Sequence, residues 1–353
     1  MKKVLVTGIL GQDGSSMANY LLNDSEENVR VYGMMRRLST PNFVNTKSFS
    51  DHKNFELVCG DLADEVSINN LVRDIQPDYF VNFGANSFVG CSWDMPVQVF
   101  DVNTLGVIRC LEAIRKHAPA CKFYSAGSSE EMGDIDYSPQ DLNHPIKPRS
   151  PYSASKAAAR HIVKVYRESY DMFAVHGILF NHEGIRRGEE FVTRKITKGV
   201  AKIFHQIRLA KEPTPIELGN VNALRDWSDA DDFVVGVWLM LNQEHPKDYI
   251  LSSNESHSIK EFVTKAFKFA GFSGEWLEDE GDALSTRFVI HHQNEILLAL
   301  KVNPKYYRPA EVAELCGDSN PAREELGWSP KTSFDQLVEK MVHWDIEKAE
   351  HTT

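Results

Sequence analysis

Val4-Leu5-Val6-Thr7 running straight into Gly8-Ile9-Leu10-Gly11-Gln12-Asp13-Gly14 is the stretch that most narrows what this chain can become. The apolar run reads as a buried strand, and Met17, Tyr20, Leu21 and Leu22 carry helical spacing. Strand, glycines three apart and helix make a turn whose backbone can approach a pyrophosphate at the positive end of a helix. Gly8, Gly11, Gln12, Asp13 and Gly14 are therefore candidate dinucleotide contacts.

The pattern continues. Val29 to Gly33, Phe55 to Cys59, Tyr79 to Asn82, Lys122 to Ser125 and Met172 to Phe180 read as strands, separated by helical runs at 66–75 and at 97–117, the latter carrying Asn103. Alternation of this kind means an α/β fold, a doubly wound parallel Rossmann sheet, here with a smaller interleaved C-terminal α/β lobe. Residues 1–180 are expected to form the dinucleotide domain, with later segments returning to it, and 181–353 mainly a substrate lobe. Helices are expected at 230–241, 258–270 and 332–350, and the acidic stretch Glu275 to Asp282 reads as a surface loop.

Where an acid would hold an NAD ribose, roughly 20 residues beyond the glycines, the chain has Arg36-Arg37-Leu38-Ser39. Two guanidiniums and a hydroxyl suit the extra phosphate of NADP. Asp61, in Gly60-Asp61-Leu62, can accept from an adenine amino group. Phe83-Gly84-Ala85 puts small residues at a strand's carboxyl end, where such sheets hold ligands.

Tyr152 and Lys156 stand four apart, on one face of a helix. A cation beside the phenol favours the phenolate and makes it a base for a sugar hydroxyl. Ser128 and Glu130 follow the strand ending at Ser125, and period two would aim both into the same cleft. The competing reading is a helix cap with its capping acid.

Lys and Arg number 39 against 50 Asp and Glu, a net charge of −11, which disfavours nucleic acid and anionic membranes as partners. Cys59, Cys91, Cys110, Cys121 and Cys316 occur singly, with no metal-site spacing, and read as reduced and mostly buried thiols. No apolar run has transmembrane length, so a cytoplasmic protein is expected.

Thr7 to Ser15, Arg36-Arg37, Ser128-Ser129-Glu130, Ser150-Pro151-Tyr152 with Lys156, Leu179 to Glu183, Arg186 to Glu189, Phe191 to Ile196, Leu218-Gly219-Asn220, Arg225-Asp226-Trp227, Tyr307 to Val312 and Leu326-Gly327-Trp328 together resemble the GDP-mannose 4,6-dehydratases, extended short-chain dehydrogenase/reductases. The resemblance spans nearly the whole chain. It implies GDP-mannose as substrate, NADP as cofactor, and Ser128, Glu130, Tyr152 and Lys156 as catalytic. His182 and Arg187 would touch NADP. Ser87, Asn181, Gly219 and Asn220 would touch the sugar nucleotide, Thr193, Lys195, Arg225 and Arg308 its diphosphate side, and Glu311 the guanine edge. A homodimer or homotetramer is also implied, with the loop from Arg36 to Phe43 reaching a neighbour. The chain departs from the family pattern at Gly127, Ser128, Met132 and Gly184-Ile185. An NADPH-dependent GDP-sugar reductase or epimerase, and a non-catalytic NADP-sensing protein, remain the alternatives.

Overall fold

Strands that are apolar on both faces must be covered on both sides, and a parallel sheet between helices meets that demand. The computed structural model describes residues 1–279, 282–306, 312 and 314–350. Its first half alternates β1 (Lys2–Thr7), α1 (Gln12–Asn19), β2 (Val29–Met35), β3 (Phe55–Cys59), α2 (Glu65–Ile75), β4 (Tyr79–Asn82), α3 (Pro96–Phe100), α4 (Gly106–His117), β5 (Lys122–Ala126), α5 (Pro151–Tyr170) and β6 (Ala174–Leu179). There follow β7 (Asn181–Glu183), α6 (Val192–Arg208), β8 (Ile216–Leu218), β9 (Leu224–Arg225), β10 (Trp227–Asp229), α7 (Ala230–Leu241), β11 (Tyr249–Leu251), β12 (His257–Ser258) and α8 (Ile259–Phe269). The chain continues through β13 (Ser273–Asp279), β14 (Asp282–His292), β15 (Glu295–Val302), β16 (Glu314–Leu315), α9 (Asn320–Leu326) and α10 (Phe334–Glu350).

The main sheet has the order β11-β6-β5-β4-β1-β2-β3, with every pair parallel. Leu5, Phe80 and Phe123 pack to one side against α2, α4 and α5. Val4, Val6, Val81 and Tyr124 pack to the other against α1 and α7. The order reverses between β1 and β4, so a crevice opens at their carboxyl ends. β11 brings a late segment back to this sheet beside β6.

A second core lies between α6, α8 and α10 and the sheet β13-β14-β15-β8, around Val200, Phe262, Phe288, Leu300 and Met341. Two short sheets, β10-β7 and β12-β9-β16, complete the strand pairing among the described residues.

Two expectations need correction. The helical run through 97–117 is broken by a π-helical turn at Asp101–Leu105, which holds Asn103. The acidic stretch from Glu275 is no loop: 275–279 belong to β13, paired antiparallel with β14, while 280 and 281 lie outside the described residues. Its alternation explains the difference, because Trp276 packs on Phe288 while the neighbouring Glu275, on the opposite face, stays exposed.

Among the described residues no helix is long and apolar enough to cross a membrane. The five cysteines are free, with Cys110, Cys121 and Cys316 buried, Cys91 half-buried and Cys59 exposed.

Candidate active site

Gly8 adopts φ +69, and a Cβ there would stand 3.0 Å from the Gly84 nitrogen. A Cβ on Gly14 would meet the Gly8 oxygen at 2.4 Å, so the turn and α1 close together only with glycine at both places. α1 starts at Gly11 without a side-chain cap, leaving its first N–H groups for a ligand. The turn forms one wall of a cleft of about 1630 Å³. Gly8, Gly11, Gln12, Asp13, Gly14, Arg36, Asp61, Leu62, Phe83, Gly84, Ala85, Ser87 and Arg187 line it. Arg37, Ser39, Tyr152, Lys156 and His182 are not in its wall, and Arg37 and Ser39 are exposed beside it.

His182 braces the turn from behind. Its Nδ1 faces the Phe180 carbonyl at 2.8 Å, its Nε2 lies 3.0 Å from Asp13 Oδ1, and its ring stacks on Phe233. Burial pushes the Asp13 carboxyl up, but the charge and hydrogen bond of His182 outweigh it and hold Asp13 at about 2. For His182, burial opposes the charge and Asp13 more than offsets this, so its pKa is raised. Gln12 donates to the His182 carbonyl and to Asp13, while its own Oε1 is buried without a partner among the described residues. Arg187 lies over Phe191, 3.5 Å to the ring centroid, with Nε 3.0 Å from Glu183. The same Glu183 oxygen accepts from the Thr193 hydroxyl at 2.5 Å. Thr193 is fully buried, so its side chain is committed to Glu183 instead of facing a diphosphate.

α5 begins with Pro151 after a Ser150 capping box, which sets the register of the helix. Tyr152, Lys156, Ala159 and Val163 then share its buried side. The Tyr152 phenol hydrogen-bonds Ser128; burial, and then the charges of Glu130 and Glu131, push it up, against the opposing effects of Ser128 and Arg187. Lys156 sits 6.0 Å from the Tyr152 ring centroid and donates to the Ala126 carbonyl at 2.7 Å. Burial lowers the Lys156 ammonium to about 8, with Glu131 and Asp13 opposing. The expected cation is thus near the phenol but bonded to the end of β5. Asn103 ties the pieces together: it accepts from Asn86 N–H at 2.9 Å and donates to Ser155 Oγ at 3.0 Å.

The Ser128–Glu131 stretch is a cap followed by a short 3-10 turn, not a strand end, so period two does not apply. The capping reading describes its geometry, and neither Ser128 nor Glu130 lines the cleft. Glu131 is the capping acid, and the charge of Glu130 bears on Tyr152.

The nucleotide-side candidates are more scattered. Lys195 stands 3.7 Å over the Tyr306 ring, and burial lowers its ammonium. Arg225 is buried in β9 and donates to the Leu224 carbonyl. Asn181 presents a buried Oδ1 that has no hydrogen-bond partner among the described residues. Gly219 and Asn220 follow β8, where Asn220 Oδ1 accepts from Asn222 N–H. Arg308 and Glu311 lie outside the described residues. Sequence reasoning did not single out Asn45, which lines the cleft and donates to the carbonyls of Leu10 and Arg186, nor Trp344 and Lys202 on its far wall. A loop residue such as Asn45 has no periodicity to mark it.

The family model described as GDP-mannose 4,6 dehydratase matches residues 5–341. The chain is 40% identical to the GDP-mannose 4,6 dehydratase of Drosophila melanogaster, over 98% of this chain and 86% of that protein. It is 39% identical to the one of Homo sapiens, over 97% and 91%. Among solved structures, dTDP-glucose 4,6-dehydratase from Streptomyces venezuelae superposes with a TM-score of 0.81 over 99% of this chain and 98% of that one; at 20% identity it speaks for the fold alone.

Because the His182 pKa is raised, its pairing with Asp13 stabilises the fold fully below the unfolded value of about 6.5 and fades as pH rises through the folded value. His182→Gln is therefore expected to cost more stability at about pH 5.5 than at about pH 9. Urea midpoints of both proteins at the two pH values measure this; equal losses would contradict it.

Proposed function

The chain belongs to the GDP-mannose 4,6-dehydratase family, and from that membership we propose which residues carry the reaction and which nicotinamide cofactor they use. It is an enzyme, a hydro-lyase that dehydrates GDP-mannose. The reading of the site is carried by one observation: Tyr152 and Lys156 are buried together on one side of α5, the ammonium 6.0 Å from the phenol ring, where Ser128 and the charge of Glu130 both bear on the phenol.

The cofactor is NADP. The crowded Gly8–Gly14 turn and the uncapped start of α1 fit a pyrophosphate, and Arg36 lines the cleft just past β2, where a 2′-phosphate needs a cation. Bound there, it would supply the hydride acceptor for C4 of the mannose and the hydride donor for C6, with no net consumption.

Tyr152, as phenolate, removes the C4 hydroxyl proton, and Ser128 holds that oxygen by its hydrogen bond. Burial works against the phenolate, so nearby positive charge must support it. Lys156 supplies that charge from 6.0 Å while it is protonated, below about pH 8, and Arg187 adds to it. The ketone at C4 makes the C5 proton acidic. Glu130 removes it and hands a proton to the departing C6 hydroxyl, which leaves as water; when hydride is returned to C6, C5 takes up a proton, which balances the one Tyr152 removed from the C4 hydroxyl. The product is GDP-4-keto-6-deoxymannose, a first step toward GDP-deoxyhexoses. Lys195, Arg225 and Arg308 hold the diphosphate, and Glu311 accepts from the guanine edge.

Purified protein incubated with GDP-mannose and no reductant is expected to yield a product lighter by one water in mass spectrometry; a reductase or epimerase would not. Glu130→Gln and Tyr152→Phe should each lower kcat by about 10²- to 10⁴-fold while NADP still binds. Full activity in either would refute its assigned role. Arg36→Ala should weaken NADP about 10- to 100-fold and leave NAD nearly unchanged, as read by fluorescence titration. An equal loss for both would remove the case for NADP.

The protein also works as a homodimer or homotetramer. Trp93, Met95, Val97, Phe100 and Leu105 form an exposed apolar strip at α3 and the turn after it, which supports this reading. Light scattering after size exclusion should give two or four chains; a monomer that retains activity would exclude it.

A further inference from the structure

Behind the Ser128–Glu130 turn a second carboxylate is sealed from solvent. Glu131 is fully buried; its Oε1 accepts from the Ser128 N–H at 2.8 Å and lies 2.9 Å from Nε2 of an equally buried His176. Only glycine at 127 leaves room for the pair, since a Cβ there would stand 2.3 Å from His176 Nε2 and 2.7 Å from Glu131 Oε1. A buried carboxylate–imidazole pair is a poor device for stability, because apolar residues of similar volume often do as well. This one carries further cost: Glu131 Oε2, His176 Nδ1 and the Tyr124 hydroxyl are buried without hydrogen-bond partners among the described residues.

The charges around it are oriented toward the proposed chemistry. From α5, Tyr152 and Lys156 feel the Glu131 carboxylate, and from β5 so does Tyr124. Asp13 on α1 acts on Lys156 and Tyr124, while Glu130 and Arg187 act on Tyr152. Asp248 accepts from the His176 backbone N–H at 2.9 Å and is held by Arg167 at 2.7 Å.

We propose that Glu131 is a positioning residue: through the Ser128 backbone it sets the hydroxyl against the Tyr152 phenol, and its charge, clamped by His176, sets the pH range in which Tyr152 and Lys156 act. The proposal rests on Tyr152 being the base. A negative charge in a dry interior disfavours a second one nearby and favours a cation. Glu131 therefore makes the phenolate harder to form and the ammonium easier to keep. Both limbs of the kcat–pH profile sit higher than they would without it.

Glu131→Gln keeps the shape and the acceptor for the Ser128 N–H but removes the charge. Both limbs should move to lower pH, by roughly half a unit or more. Glu131→Asp keeps the charge, so its limbs should stay near those of the parent even if kcat falls; a purely structural role would not separate the two variants. Should Glu131→Gln lose its far-UV circular dichroism signal, the double variant Glu131→Leu with His176→Leu replaces the pair by apolar volume and should show the same downward shift. A profile from a folded, uncharged variant that superposes on the parent overturns the proposal. If Tyr152→Phe retains full activity, the assignment beneath it fails instead, so the two failures are told apart.

Discussion

A parallel sheet covered by helices on both faces has nowhere along its length to put polar side chains, and the rest of this structure follows from that restriction. Val4, Leu5, Val6, Phe80, Val81, Phe123 and Tyr124 are all fully buried, so β1, β4 and β5 can change character only where they end. At those ends the chain places Gly8, Phe83-Gly84 and Ala126 to Glu131. The reversal of strand order between β1 and β4 opens the crevice at the same level. α5 then lies against this edge, and its buried side delivers Tyr152 and Lys156 to it.

Burial is also what makes the polar groups there act on one another. Glu131, Tyr152 and Lys156 are buried and Asp13 is half-buried; both carboxylates bear on Lys156, and Glu131 bears on Tyr152 as well. In water the same groups would interact weakly; inside the fold their separations matter. The carboxylates are therefore bracketed: Asp13 by His182, Glu131 by His176, Glu183 by Arg187 and Thr193. A fourth bracket ties the second lobe together, where Asp345 of α10 pairs with Arg194 at 2.7 Å and accepts from Thr197 of α6.

Much of the fold was legible because it is written in local patterns. The strand runs, the glycines three apart and the Ser150-Pro151 start of α5 each act over a few residues, and each appears where the sequence implies. Arg36 and Asp61 were legible for the same reason, since both sit one turn beyond a strand. Glu275 to Asp279 misled because charge dominates the composition while alternation sets the conformation. Thr193 misled differently: its place in a motif says nothing about Glu183, ten residues earlier, which takes its hydroxyl. His182 carries both meanings, as a motif residue and as a ring satisfied by Phe180 and Asp13.

The sequence by itself determined the parallel sheet, the dinucleotide turn, the Tyr152–Lys156 spacing and the family, because each depends on residue type at short separation. Only the tertiary structure decided which partner each polar group takes. Lys156 goes to the Ala126 carbonyl, Thr193 to Glu183, and Glu131 to a histidine 45 residues away. Those choices are made by distance in a dry interior, where a polar group must bond to whatever the packing brings beside it.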